Sequence, residues 1–321
     1  MSQTYTQGGQ NIAGQFGLPL FGVATLPPYT GNWFWVDETN GSDGNTGGPQ
    51  DPLKTLSQAH SVCTSGNNDV VVFTGTIHQT ASLAWSKNNT HLIGLDAPLK
   101  RGKRARISVS GSTAFSPLIN VTASGCHFKN FGTFSGFTTD ALATSYCLSD
   151  TGGRNCYENV EILGFGGTGT AGNTGARAAF ISGSTGENTF RDCVFGVDTV
   201  TRGVANYTLE FAAAGPRHHF ANCEFEMDAS AATPAHIFTA ASNAIDRYAR
   251  FDNCVFRNAT GSGATTINQV AKLAASAGGT FELVNCNWWG ATHLETTTTN
   301  QIVINNPVTN QTDPGLMKNN S

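Results

Sequence analysis

The apolar positions of this chain follow neither a sustained helical stripe nor long alternating strands. They recur in a six-residue unit: an aromatic residue or Leu, any residue, Asn or Asp, a small or apolar residue, any residue, then usually an apolar one. The unit reads Phe128-Lys129-Asn130-Phe131-Gly132-Thr133, then Tyr157-Glu158-Asn159-Val160-Glu161-Ile162, then Phe190-Arg191-Asp192-Cys193-Val194-Phe195. It continues as Phe220-Ala221-Asn222-Cys223-Glu224-Phe225, Phe251-Asp252-Asn253-Cys254-Val255-Phe256 and Leu283-Val284-Asn285-Cys286-Asn287-Trp288. Successive units begin 29, 33, 30, 31 and 32 residues apart. A period of this length marks a solenoid, whose layers bury their apolar faces only by stacking.

Period-2 alternation sends positions one, four and six to one side only if the chain bends at position three. Asn and Asp are the non-glycine residues that best tolerate the left-handed backbone such a bend needs. The unit therefore predicts two short strands meeting at a corner, with Asn130, Asn159, Asp192, Asn222, Asn253 and Asn285 in one file. Cys193, Cys223, Cys254 and Cys286 are predicted to form an interior column. A weaker apolar column precedes each unit (Phe180-Ile181, Leu209 and Phe211, Ile237-Phe238, Val270 and Leu273), which makes three strands per coil. Outward positions agree with this register: Lys129, Glu158 and Arg191 alternate in charge up the stack, and Glu226 falls beside Arg257. The fold class is all-β, a single-stranded right-handed parallel β-helix with about thirty residues per coil.

Composition narrows the classes. Charged residues are 12% of 321, about half the usual ~25%, and 37 glycines exceed the usual ~7% share. The net charge of −4 gives no basic footprint for nucleic acid, and no apolar run reaches the ~20 residues of a membrane span. Met1 to Gln15 lack a basic residue and a long apolar core, so no export signal is expected and synthesis in a host cytoplasm is. None of the eight cysteines stands in a CxxC pair; they are expected to stay reduced and act as small hydrophobes, with no metal and no cofactor bound.

Trp33-Phe34-Trp35-Val36-Asp37, followed by Asn40-Gly41-Ser42-Asp43-Gly44, resembles the opening of pectin-lyase-like β-helix proteins. So do Pro52-Leu53-Lys54-Thr55-Leu56, Asp69 to Thr76, and Asn287-Trp288-Trp289-Gly290 near the end. The resemblance covers residues 33 to 290. It implies an opening strand, a short N-terminal capping helix and a β-helix body over 33–291. It is specific for fold and poor for function, because lyases, hydrolases, epimerases, adhesins and phage spikes share it.

Residues 1–32 are Gly/Gln/Pro-rich and too poor in apolar residues to fold alone. They are expected to be an extended docking arm, with Gln7, Phe16, Leu18, Leu20 and Phe21 as partner contacts. Residues 292–321 form a Thr/Asn-rich tail with one strand candidate, Ile302-Val303-Ile304.

Two sites are candidates for chemistry. Glu161 and Glu224 occupy the outward fifth position two coils apart, hence about 9–10 Å, near the upper end of the spacing of inverting glycosidases. Against that role, Val194 lies between them and no Asp cluster flanks them, so catalysis by this pair is kept only as an alternative. Lys100, Arg101, Lys103, Arg104 and Arg106 form the one charge cluster, read either as a patch for an anionic partner or as a solvated corner before a strand. Glu158 is held ionised by Lys129 and Arg191 and is a poor acid. His218 and His219 face opposite sides of a strand, His78 and His91 stand apart from other ligands, and Gly164 to Gly175 form a corner loop without a phosphate-loop lysine.

The expectation is a non-catalytic bacteriophage virion protein, a capsid decoration or head spike docked through its arm on capsid or other virion proteins. Trimerisation is implied by the resemblance to virion β-helices. The alternatives are a tailspike-type depolymerase of bacterial surface glycan and an adhesin that binds such a glycan without cleaving it.

Overall fold

A computed structural model describes residues 6–7, 10–11, 29–109, 113–212, 215–259, 265–275, 278–296 and 301–305. The chain winds as a parallel β-helix whose three faces are continuous sheets. The first sheet has ten strands, from Trp33–Val36 through His127–Lys129, Thr189–Arg191 and Ile245–Asp252 to Gln301–Asn305. The second runs from Thr76–Gln79 to Asn287–Trp289, and the third from Leu83–Trp85 to Ala271–Lys272. All pairings along these three sheets are parallel, with each strand bonded to its counterpart one coil away.

The corner from first to second sheet is made by the repeat's third position. Asn130, Asn159, Asp192, Asn222, Asn253 and Asn285 all hold φ between 52 and 58°. Amide side chains also bond along the file: Asn159 Nδ2 donates to Asn130 Oδ1 at 2.9 Å. Each residue turns the chain by one left-handed step, so the flanking apolar positions both face the lumen.

Strand spacing then sets the core packing. Phe128, Tyr157, Phe190, Phe220 and Phe251 stack face to face, with ring centroids 4.5–4.8 Å apart. Phe195, Phe225 and Phe256 form a second pile at 4.7 and 4.8 Å. Between them runs the cysteine column. Each thiol points at the carbonyl of the aromatic residue one coil back: Cys193 at Tyr157, Cys223 at Phe190, Cys254 at Phe220 and Cys286 at Phe251. No disulfide links any of the eight cysteines.

A helix, Leu56–Val62, covers the lumen near the opening strands, where Leu56, Ala59 and His60 are buried. Thr55 caps it, accepting from the Gln58 N–H at 3.1 Å, and His60 stacks on Trp85 at 4.3 Å. At the far end, Gln301–Asn305 adds a strand to the first sheet beside Gly278–Val284. The loop around Gly164 to Gly175 contains a one-turn helix, Thr168–Ala171.

The third column is not wholly interior. Ile181, Leu209, Phe211 and Ile237 face the core, but Phe180 and Phe238 are half-buried on the outer face. Adjacent strand residues point to opposite sides, so Phe180-Ile181 and Ile237-Phe238 each split between lumen and surface.

Candidate functional site

Where the six coils of the repeat turn on one Asn or Asp, the coil beginning at His91–Gly94 makes an excursion, Leu95 to Ala105, before its next strand, Arg106–Val109. This is the basic cluster, and although much of it is exposed, its polar groups turn back onto the chain. Asp96 anchors its base by accepting from the backbone N–H groups of Arg104 and Ala105. The loop then lies along the outer face of the second sheet and covers later coils. Gly102 N–H and Lys103 N–H donate to the two carboxylate oxygens of Glu161 at 2.7 and 3.2 Å. Lys103 Nζ reaches Asn159 Oδ1 at 2.9 Å. Lys100 Nζ lies 2.8 Å from Glu224 and donates to the Asn222 carbonyl at 2.9 Å. Arg101 bridges Glu224 and Glu226, and Arg257 adds a second contact to Glu226 at 3.2 Å.

The strap bears on both sequence candidates. Glu161 and Glu224 do flank Val194 on adjacent strands. Glu161, however, is 3% exposed beneath the loop, and Glu224 is ion-paired. Burial pushes the Glu224 carboxyl up, but the hydrogen bonds from Lys100 and Arg101 outweigh it and hold it below the usual range. Neither carboxylate is placed to give a proton to a ligand. The basic residues are not a free anionic-partner patch either: Lys103 is fully buried, and Lys100 and Arg101 are engaged within the chain. Arg104 remains exposed, and Arg106 is half-buried, 5.9 Å over Phe134. Ala97 to Leu99, Arg101 and Gly102 are exposed as well, so the loop is also a solvated corner before the Arg106–Val109 strand.

The outer face of the third sheet presents a different arrangement, which the repeat analysis missed. One row runs Ser149, Phe180, Glu210, Phe238, Lys272, and the next runs Tyr146, Arg177, Tyr207. Tyr146 stacks on Phe180 at 4.4 Å, and Tyr207 on Phe238 at 4.0 Å. Between the two pairs, Arg177 Nε donates to Glu210 at 2.5 Å while its guanidinium covers Tyr207 at 4.5 Å. Lys272 Nζ donates to the Tyr207 hydroxyl at 3.0 Å. Arg177, Tyr207 and Glu210 are buried within this arrangement, while Tyr146, Phe180 and Phe238 are half-buried and Lys272 is exposed, so rings and one ammonium remain for contact with a ligand such as a sugar. The alternation Leu209-Glu210-Phe211 was the available signal, because a charge between two inward apolar residues must point out.

The remaining sequence candidates fall elsewhere. Burial pushes the Glu158 carboxyl up, but Lys129 at 2.7 Å, with His127 and Arg191 behind it, holds it below the usual range. His219 faces outward onto Asp252 at 2.5 Å, while its neighbour His218 is fully buried. His78 pairs with Glu38 at 2.8 Å. His91 does not stand apart: its Nδ1 accepts from the His127 N–H at 3.0 Å, and Tyr29 Oη lies 2.6 Å from His127 Nδ1. Burial lowers both imidazoles to about 4 and raises the Tyr29 phenol. Trp288 packs on the core, and Trp289 is exposed, with Arg257 5.0 Å over its ring. Gln7 pairs with Gln10 in a two-residue antiparallel ladder. Phe16, Leu18, Leu20 and Phe21 lie outside the described residues. Among the described residues no helix is long and apolar enough to cross a membrane, and no cluster of three or more His, Cys, Asp or Glu has metal-binding geometry.

No protein-family model and no curated protein matches the chain. Solved structures do. A rhamnogalacturonan lyase aligns with a TM-score of 0.56 and 16% identity, over 80% of this chain and 68% of the other. The pectate lyase Pel9A aligns at 0.53 and 13%, over 80% and 63%. The fold is the pectin-lyase-like parallel β-helix. A pectin methylesterase from Aspergillus niger also aligns at 0.53, with 14% identity over 84% of this chain and 91% of its own. This β-helix spans about two thirds of the length of the two lyases. At such identities the likeness is one of fold, and activity must be argued from side chains.

Proposed function

We propose that this β-helix is a non-catalytic structural protein of a bacteriophage particle, a capsid decoration or head spike that trimerises and docks through residues 1–32. The observation that carries the non-catalytic reading is the strap. The two outward carboxylates spaced for glycoside chemistry are neutralised by Lys100, Arg101 and the backbone of Gly102 and Lys103. Docking is supported by the arm's composition: no Asp, Glu, Lys or Arg precedes Asp37, so the segment suits main-chain pairing or apolar contact with a neighbour. Tyr29 ties the end of the arm to the first sheet through His127. The test is removal of residues 1–28, which keeps that tie. The truncated protein should fold and fail to decorate particles that lack the native protein. Full occupancy by the truncated form would overturn the docking role.

The third-sheet face favours a second reading, in which the protein engages a bacterial surface glycan. The folds it resembles include proteins named as a lyase and a methylesterase acting on pectic polymers, so turnover is tested alongside binding. Purified protein is incubated with host capsule or lipopolysaccharide and assayed for new reducing ends, unsaturated uronates and released ester groups. Product formation by the purified protein would replace the structural assignment with an enzymatic one. Saturable binding without product, lost in Phe180→Ala with Phe238→Ala, would make the protein a glycan reader.

A further inference from the structure

Arg202 carries a permanent charge where one is hardest to hold. It lies in a short strand, Thr201–Arg202, which pairs with Asp228 and Ala229 at the edge of the second sheet. Its side chain is fully buried. The guanidinium sits 4.3 Å over the Phe165 ring, and Nη2 donates to Thr208 Oγ1 at 3.1 Å. Nε and Nη1 are buried with no acceptor among the described residues. The charged neighbour acting on it is Arg177, which is of like sign. Outside the described residues the sequence holds a single carboxylate side chain, Asp313.

A second orphan adjoins it. The register Tyr207↔Ala235 and Leu209↔Ile237 sets Thr208 and His236 side by side on neighbouring strands, about 4.8 Å apart. His236 is buried, its ring is 5.9 Å from that of Phe256, and neither nitrogen has a partner among the described residues. Burial first, and the Arg202 charge second, hold its imidazole neutral, so one ring nitrogen carries a proton to donate. Thr208, accepting from Arg202, has its own hydroxyl proton to give as well.

Thr208 thus joins two buried side chains that carry unpaired nitrogens, one of them an uncompensated cation. Burial brings Arg202 down to about 9, which still leaves it charged at neutral pH. Unpaired N–H groups alone would be satisfied by water, but a buried charge also needs an opposite charge. We infer that Arg202, Thr208 and His236 form a closed binding site for one small monovalent anion of the halide class, met by a guanidinium N–H, the hydroxyl and an imidazole N–H. One negative charge balances Arg202 beside a neutral imidazole. Walls such as the Phe165 and Phe256 rings favour a weakly hydrated halide over sulfate or phosphate, which hold their water more tightly.

The experiment uses the full chain. Crystals soaked in bromide should show an anomalous peak between Arg202 and His236, within hydrogen-bonding distance of both. The thermal midpoint should rise with each tenfold increase in chloride relative to gluconate at matched ionic strength, as binding to the folded state alone requires. Arg202→Met should abolish that rise. Should Arg202→Met not fold, His236→Leu keeps the test, with a rise smaller than that of the wild type. A peak with water's scattering, or a midpoint that is the same in chloride and gluconate, would overturn the site.

Discussion

The ammonium of Lys100 lies 2.8 Å from the carboxylate of Glu224, although four coils of the β-helix separate their strands. That contact, with those of Arg101, Gly102 and Lys103, turns a corner loop into a strap over the second sheet.

The strap has two kinds of contact, which should respond differently to mutation. Arg101 is 42% exposed, so Arg101→Ala should lower stability by only about 1 kcal/mol, and by less in 1 M salt. Glu161→Ala removes the acceptor of the part-buried Gly102 N–H and the buried Lys103 N–H and should cost about 1–3 kcal/mol, with little dependence on salt. Urea titrations at low and high salt check both. Equal salt sensitivity in the two variants would contradict this division.

Asn222 holds φ at 55°, so Asn222→Ala should cost about 1–2 kcal/mol through backbone strain. Asn222→Gly should recover most of that loss, because glycine enters the left-handed region freely. Chemical denaturation of the two variants decides the matter. If both lose the same amount, the corner is held by the amide side chain and not by backbone preference.

Stability should fall as the solution is acidified from pH 6.5 to 4. His91 and His127 are lowered to about 4 by burial, while an unfolded histidine titrates near 6.5. Between those values the unfolded chain takes up protons that the folded chain refuses, so stability present above pH 6.5 is lost on descent. Below about 4 the folded imidazoles charge, and His91 Nδ1 can no longer accept from the His127 N–H. Urea midpoints at pH 7, 5.5 and 4.5 should decline in order, while the ring protons of both histidines stay unshifted above pH 5. A level midpoint across this range would refute the linkage.

Thiol reagents should separate Cys156 from the rest. Seven cysteines are buried and Cys156 is half-buried. Burial raises the Cys156 thiol, so its native reaction should be slow. The native protein should release at most one equivalent, and eight should appear in denaturant. Fewer than eight would reveal a disulfide.

The six-residue repeat by itself determined the solenoid, the left-handed corner, the inward aromatic and cysteine columns, and the charge register of Lys129, Glu158 and Arg191. These features are periodic and local: each depends on strand alternation and on stacking at one fixed spacing. Fates of outward residues were set only in three dimensions. Glu161 and Glu224 read as an open pair because the excursion from Leu95 to Ala105 belongs to a coil far back in the chain, and its landing place obeys no period. Phe180, Phe238, Arg177 and Glu210 became neighbours only when successive coils stacked, since no stretch of sequence places them together. A repeat fixes what each layer buries, whereas what covers or exposes its outer face depends on contacts between layers and on loops that escape the repeat.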